Sequence, residues 1–300
     1  MNPYIRALRA PFLAGSLVPV VLGGAFAFAQ HAFSLPPFLL ALAGVGALHL
    51  GANLLNDYWD ARGSDPVNLK VTPFSGGSRV IQEGALKEQV VLFLALAFFA
   101  VGLATGILLV WMGRPLVLLL GGLGFFAGWA YSARPLQLMS RGWGEVVIFL
   151  AFGPLVTLGT GYVLTGALSH EYFVLGLPQG FLITGVIWIN QFPDYEADRN
   201  AGKRNLVVRL GPARSRFPYA AIIAMAFACV PLLIRAVPMT SLTMLCFAAL
   251  PTAFKAVRTA WRHYLSHDLM VPAQELTIRT LVIHGVLFSA GLVLGRLTGF

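Results

Sequence analysis

Two clusters of carboxylate and amide side chains stand out in a chain otherwise nearly free of charge. Asn53, Asp57 and Asp60 fall at i, i+4 and i+7, with Asn56 beside Asp57 and Asp65 shortly after. Asn190, Asp194 and Asp198 repeat the pattern at i, i+4 and i+8. On a continuing helix each triplet lines one face. Two carboxylates about 6 Å apart repel by roughly 3 kcal/mol at an effective dielectric near 20, and clustering five of them multiplies that penalty. Something positive must sit between them. Hard oxygen donors suit Mg²⁺, which keeps several waters and bridges a few carboxylates to phosphate oxygens. Lys70, Arg79, Arg141, Lys203 and Arg204 can take the remaining anionic charge. Metal plus cations points to a diphosphate.

Helix-end stability alone does not explain these acids, because a carboxylate at a helix C-terminus is opposed by the dipole and a Lys would serve better there. Asp65, Glu83 and Glu88 taken singly also read as solvated loop charges, and Asp65 stands open between that and a metal ligand. Tyr58, Trp59, Phe74, Trp129, Tyr131, Trp143, Trp188, Phe192 and Tyr195 surround the clusters in sequence. Such rings stabilise a developing allylic cation, or form an interfacial belt. His49, one turn before Asn53, could orient an Asn, contact an acceptor, act as a base, or simply be a hydrogen-bonded structural group. Glu145 opens a helix and either favours its N-terminus or faces a cavity. Cys229 and Cys246 lie in apolar runs without metal spacing and read as small packing residues.

The elements that must position these groups follow from composition. Over 300 residues, 57% are hydrophobic and only 11% charged, with a mean hydropathy of +0.76. That excludes an ordinary soluble surface. Apolar runs without alternation predict membrane helices, not a barrel, at 11–32, 35–56, 89–112, 115–132, 143–166, 170–192, 216–235, 239–256 and 278–297. The first run, after Arg6 and Arg9, is long enough to be a retained helix instead of a signal peptide. With nine spans, every Lys and Arg except Arg114, Arg235 and Arg296 falls on one side. The positive-inside rule makes that side cytoplasmic, together with the N-terminus and both acid clusters, and puts the C-terminus opposite. The net charge of +9 is thereby explained by membrane sidedness and anionic lipid, without nucleic acid. The matched NxxxD patterns predict a single domain of two related halves, roughly 1–140 and 141–300.

At these residues the sequence resembles the UbiA superfamily of intramembrane aromatic prenyltransferases, whose members carry NDxxDxxxD after helix two and DxxxD after helix six. Asn56-Asp57-Tyr58-Trp59-Asp60 matches the first motif, with the last acid one position late at Asp65; Asp194-Tyr195-Glu196-Ala197-Asp198 is the second. His49-Leu-Gly-Ala-Asn53, Gly76-Gly-Ser-Arg79, Gly142-Trp-Gly-Glu145 and Asn205-Leu-Val-Val-Arg209 look most like the MenA-type 1,4-dihydroxy-2-naphthoate prenyltransferases. Gln191-Phe192-Pro193 and Arg9-Ala10-Pro11 depart from the usual pattern of those enzymes.

The resemblance implies an all-α fold of nine transmembrane helices around a central cavity with a cytoplasmic cap. It implies that Asp57, Asp60, Asp65, Asp194 and Asp198 hold Mg²⁺. By the same resemblance Asn53, Asn190, Arg79 and Lys203 would contact a polyprenyl diphosphate; residue type and position add Asn56, Lys70 and Arg141 there, and His49, Glu145 or Tyr131 as candidates toward the aromatic acceptor. The implied reaction is ionisation of the allylic diphosphate, attack by an electron-rich ring, and loss of a proton or CO₂. Other acceptors, such as 4-hydroxybenzoate, homogentisate or a lipid precursor, share the same acid motifs. A cation-coupled transporter would also pair two halves around acids, but it would place them near the bilayer midplane.

Overall fold

The computed structural model describes residues 2–68 and 71–299, and among these it is helical throughout, with no strand. The main elements are α1 (Ala10–Ala29), α2 (Leu35–Asp60), α3 (Glu88–Trp111), α4 (Val117–Ser132), α5 (Gly144–Thr165) and α6 (His170–Asn190). They are followed by α7 (Tyr195–Asn200), α8 (Pro212–Ala236), α9 (Leu250–His263) and α10 (His267–Thr298). Seven of them, α1, α2, α3, α5, α6, α8 and α10, are long and apolar enough to cross a membrane. Nine were expected. α4 is shorter, at 16 residues, and the eighth expected span is divided between a 3₁₀ stretch, Ser241–Ala249, and α9. Pro251 stands in the first turn of α9, where its missing N–H costs nothing, so a new helix begins there.

Three boundaries matter for the chemistry. α2 continues to Asp60 instead of stopping at 56, so Asp57 and Asp60 lie on the helix proper. α6 stops at Asn190, and residues 191–194 form a turn before α7. Pro193 disfavours helical backbone at Phe192 and lacks a donor of its own, which ends the helix. The second triplet therefore does not ride one continuous helical face: Asn190 ends α6, while Asp194 and Asp198 open α7. The dipole argument against acids at a helix C-terminus holds for Asp57 and Asp60 only. α10 begins at His267 instead of 278.

α6 is the most enclosed span, with 72% of its apolar window buried, whereas α3 at 28% turns mostly outward. Leu182, Ile183, Val186 and Ile189 of α6 pack with Tyr219 and Ile223 of α8 and with Ala273 and Leu281 of α10. α5 meets α6 backbone to backbone: a Cβ on Gly153 would fall 2.5 Å from the Gly180 N and Cα atoms. A π-turn at Ala151–Leu155 around Pro154 accompanies this approach, as expected where proline interrupts the ladder. Small residues permit such contacts between membrane helices. Gly153→Val is therefore expected to force α5 off α6 and cost about 2 kcal/mol or more, visible as a lower melting temperature in detergent. Gly121→Ala, where a Cβ meets open space, should leave melting unchanged.

Candidate active site

A polar cavity of about 170 Å³ lies where α2 and α6 end. From α2 it takes Asn53, Asn56 and Asp60, spaced at i, i+3 and i+7 so that they share a face; from the following segment it takes Asp65. From the second half come Asn190, Asp194, Asp198 and Lys203. The two clusters thus meet. Asp57 is turned to their flank: Ser78 N–H donates to its Oδ1 at 3.3 Å and Arg9 Nη1 lies 3.8 Å away. Its Oδ2 is buried without a partner.

Lys203 is the physical link between the clusters, with Nζ 3.1 Å from Asp60 Oδ1 and 3.3 Å from Asp198 Oδ1. Burial alone would lower this ammonium, but Asp60 and Asp198 outweigh it and hold its pKa above the ordinary value. The carboxyls move the other way. Burial, reinforced by Asp60 and Asp57, pushes Asp65 up to about 8. Burial and then Asp198 push Asp194 up to about 7. Burial also raises Asp198, against the opposing pull of Lys203. Four carboxylates line the cavity against two cations, Lys203 and Arg9. Among the described residues no three Asp, Glu, Cys or His side chains are gathered closely enough to hold a metal ion by themselves; the donors are spread around an open space.

The segment after α2 folds over this cavity. Asn68 Nδ2 donates to Asp194 Oδ1 at 2.9 Å and Gly76 N–H to Asp194 Oδ2 at 3.2 Å, while Gln82 Nε2 donates to Asp65 Oδ2 at 2.9 Å. Gly76 and Gly77 both have left-handed φ, +81° and +75°, and a Cβ on Gly77 would sit 2.8 Å from Asp65 Oδ2. A side chain at either position would strain the turn, and one at Gly77 would displace the carboxylate.

Several expected residues stand elsewhere. Arg79 donates to the Asp65 backbone carbonyl at 2.6 Å and does not line the cavity. Arg141 donates to Pro135 O and also lies outside it. Glu145 accepts from Gln191 Nε2 at 2.9 Å and from Leu206 N–H at 3.4 Å, and does not face the cavity. Lys70 lies outside the described residues. His49 and Tyr131 do line the cavity, and His49 Nδ1 is 2.5 Å from Ser16 Oγ on α1.

Sequence reasoning missed Arg9, Asn68 and Asn205 as cavity residues. Asn205 caps the short helix Leu206–Leu210 through Oδ1 and donates to Asp198 Oδ2 at 2.8 Å; an Asn before Leu-Val-Val is a readable cap signal. Arg9 carried no signal beyond its charge, and Asn68 none.

A second, apolar cavity of about 600 Å³ runs between α2, α3, α4 and α5. The two share His49, Ala52, Gly128 and Phe152 at their boundary. The wall of the apolar cavity is rich in glycine, and Gly121, Gly122 and Gly159 have open space where a Cβ would stand.

The raised carboxyls carry a pH dependence. A carboxyl whose folded pKa exceeds its unfolded value contributes stability that is present below about pH 4 and lost as pH rises through the folded value. With Asp194 near 7 and Asp65 near 8, the metal-free protein should melt at progressively lower temperature between about pH 5 and pH 8.5. Differential scanning fluorimetry with chelator present reads this; a flat profile would contradict the burial of these groups.

The UbiA prenyltransferase family pattern matches residues 16–295. The chain is 30% identical over 302 residues to a 1,4-dihydroxy-2-naphthoate octaprenyltransferase of Mycobacterium tuberculosis, covering 98% of each. It is 28% identical to the enzyme of that description in Escherichia coli, covering 98% of this chain and 96% of that one. The structure of a UbiA homolog from Archaeoglobus fulgidus bound to GPP and Mg²⁺ superposes with a TM-score of 0.62 at 18% identity, over 96% of this chain and 99% of the other, which shows the shared fold. Taken with its long apolar helices, the match over almost the whole length makes this chain an integral membrane protein of the UbiA prenyltransferase family.

Proposed function

We propose that the protein transfers a polyprenyl group from a polyprenyl diphosphate to 1,4-dihydroxy-2-naphthoate, the acceptor in menaquinone synthesis, with Mg²⁺ as cofactor. The observation that carries this reading is the union of an acid-lined cavity with an apolar one across His49, Ala52, Gly128 and Phe152. A diphosphate needs the first and an isoprenoid chain the second. The acceptor comes from the naphthoate enzymes to which the chain is similar over nearly its full length.

The residues fit a divalent cation. The cavity has more carboxylates than cations, burial and then neighbouring acids raise the pKa of Asp65 and Asp194, and Asp57 Oδ2 is buried without a partner. Asp57, Asp60, Asp65, Asp194 and Asp198 would hold Mg²⁺, which when bound neutralises charge on the diphosphate. Lys203, tied to both clusters, offers its ammonium to the leaving oxygens, and Asn53, Asn56 and Asn190 offer amides. The allylic C–O bond breaks with its electron pair passing to the diphosphate. The aromatic ring then supplies the pair for the new C–C bond, and loss of a proton or CO₂ restores aromaticity. Phe152 and Tyr131 line the cavity, and a ring face turned to a cationic carbon would stabilise it. The basic residues flanking these acids support a cytoplasmic site through the positive-inside rule.

Purified protein in detergent, given prenyl diphosphates of graded length and a panel of aromatic acids, tests this directly. Product with the naphthoate should require Mg²⁺ and fall roughly 100-fold in Asp57→Asn and Asp194→Asn. Product with 4-hydroxybenzoate or homogentisate alone would overturn the acceptor, and no product with any acid the reaction.

The apolar cavity gives a second expectation. Gly122→Phe fills it, so kcat/KM for donors longer than geranyl diphosphate should fall by about tenfold or more, with geranyl diphosphate itself little affected. An equal loss for all donors would show that the chain lies elsewhere.

A further inference from the structure

α10 does not line either cavity, yet it reaches the site through one residue. Gln274 is fully buried, 0% exposed, in a helix long and apolar enough to span the membrane. Its Nε2 donates to Asn190 Oδ1 at 3.0 Å, while its own Oε1 meets no partner. An amide left half-satisfied in such surroundings costs stability that an apolar residue would not. What sets it apart from Gln179, whose Oε1 is likewise buried without a partner, is the cavity residue it holds.

The contact decides which end of Asn190 faces the cavity. Asn190 lines the polar cavity as the last residue of α6. With Oδ1 engaged by Gln274, the Nδ2 hydrogens are its remaining polar group. Nδ2 donates to no described group and is not among the buried unpartnered atoms, so it is open to the cavity. An amide that presents N–H is a ligand for phosphate oxygen, not for a cation.

We infer that Gln274 is a positioning residue that turns Asn190 so that its Nδ2 donates to a diphosphate oxygen of the prenyl donor, leaving Asn190 out of the metal's coordination. This rests on the reading of the cavity as a diphosphate site. It also separates Asn190 from Asn56, whose Nδ2 is spent on Asp60, Ser132 and Met139, and from Asn53, whose Nδ2 is buried without a partner.

A second clamp between the same helices serves as control. Gln179 Nε2 lies 3.0 Å from His284 Nδ1, both buried and outside both cavities. Pairing 179 with 284 and 190 with 274 sets α6 and α10 antiparallel, so either clamp fixes their register. Only the Gln274 clamp touches the cavity.

The test measures Mg²⁺-dependent binding of geranyl thiolodiphosphate, a donor analogue that does not ionise readily, by calorimetry in detergent without acceptor. Gln274→Met and Gln274→Leu remove the donor with little change of volume. Both should weaken binding about tenfold, as loss of one charge-assisted hydrogen bond does. Asn190→Asp should weaken it more, because a carboxylate then faces the diphosphate. Gln179→Met should lower the melting temperature and leave affinity within twofold.

If Gln274→Met binds as the wild type does, or Gln179→Met loses as much affinity, the positioning role is wrong. If Asn190→Asp binds the analogue and Mg²⁺ more tightly, Asn190 faces the cavity through its oxygen and the inference is likewise overturned. A wild-type protein that binds no thiolodiphosphate defeats the diphosphate reading itself, a result separable from these.

Discussion

Five carboxylates brought to one place cannot be held there without positive charge, and the rest of the site is arranged around that constraint. Lys203 supplies the first share by pairing with Asp60 and Asp198, one acid from each cluster. Arg9 supplies another beside Asp57. Hydrogen bonds from Asn68, Gly76, Ser78, Gln82 and Asn205 disperse part of the remainder. Burial, reinforced by the negative charge that is left, raises the pKa of Asp65 and Asp194, so both acids hold their protons more tightly than free carboxyls do.

The membrane imposes a second constraint. Every polar group inside an apolar helix must find a partner within the protein or face a cavity. His49 meets Ser16, Tyr219 meets Thr277, Gln179 meets His284 and Gln274 meets Asn190. These pairs tie α1 to α2, α8 to α10 and α6 to α10, around an α6 whose apolar sides are the most enclosed in the molecule. A rigid α6 is what keeps Asn190, and the turn that follows it, in register with the end of α2. The apolar cavity needs the opposite property, empty space, and small residues on α2, α4 and α5 provide it.

Much of this was legible in the sequence because it depends on types and spacing. The apolar runs, the matched acid clusters and a place for Lys203 among the countercharges followed from local chemistry, while the glycines at 76 and 77 entered only through the family resemblance. What escaped depends on where a backbone turns. Pro193 breaks α6 and re-aims Asp194 and Asp198, so a spacing of four was not a helical spacing there. Within α2, the helical phase sets Asp57 on the flank while Asn53, Asn56 and Asp60 share the cavity. Arg79 looked like a phosphate ligand by charge, yet its left-handed backbone, φ +64°, and its bond to the Asp65 carbonyl spend it on the loop. Gln274 was invisible for a different reason: nothing in a long apolar helix says which neighbour a lone amide will meet.

The central claim is that the acids of α2 and α7 form one cation site instead of two neighbouring ones. A double-mutant cycle on Mg²⁺ affinity tests it most directly, using Asp60→Asn, Asp198→Asn and the double variant, with a thiolodiphosphate bound throughout. A shared site predicts that the two losses are not additive, with a coupling of at least about 1 kcal/mol. Losses that add within a few tenths of a kcal/mol would show that the two acids do not act on the same ion.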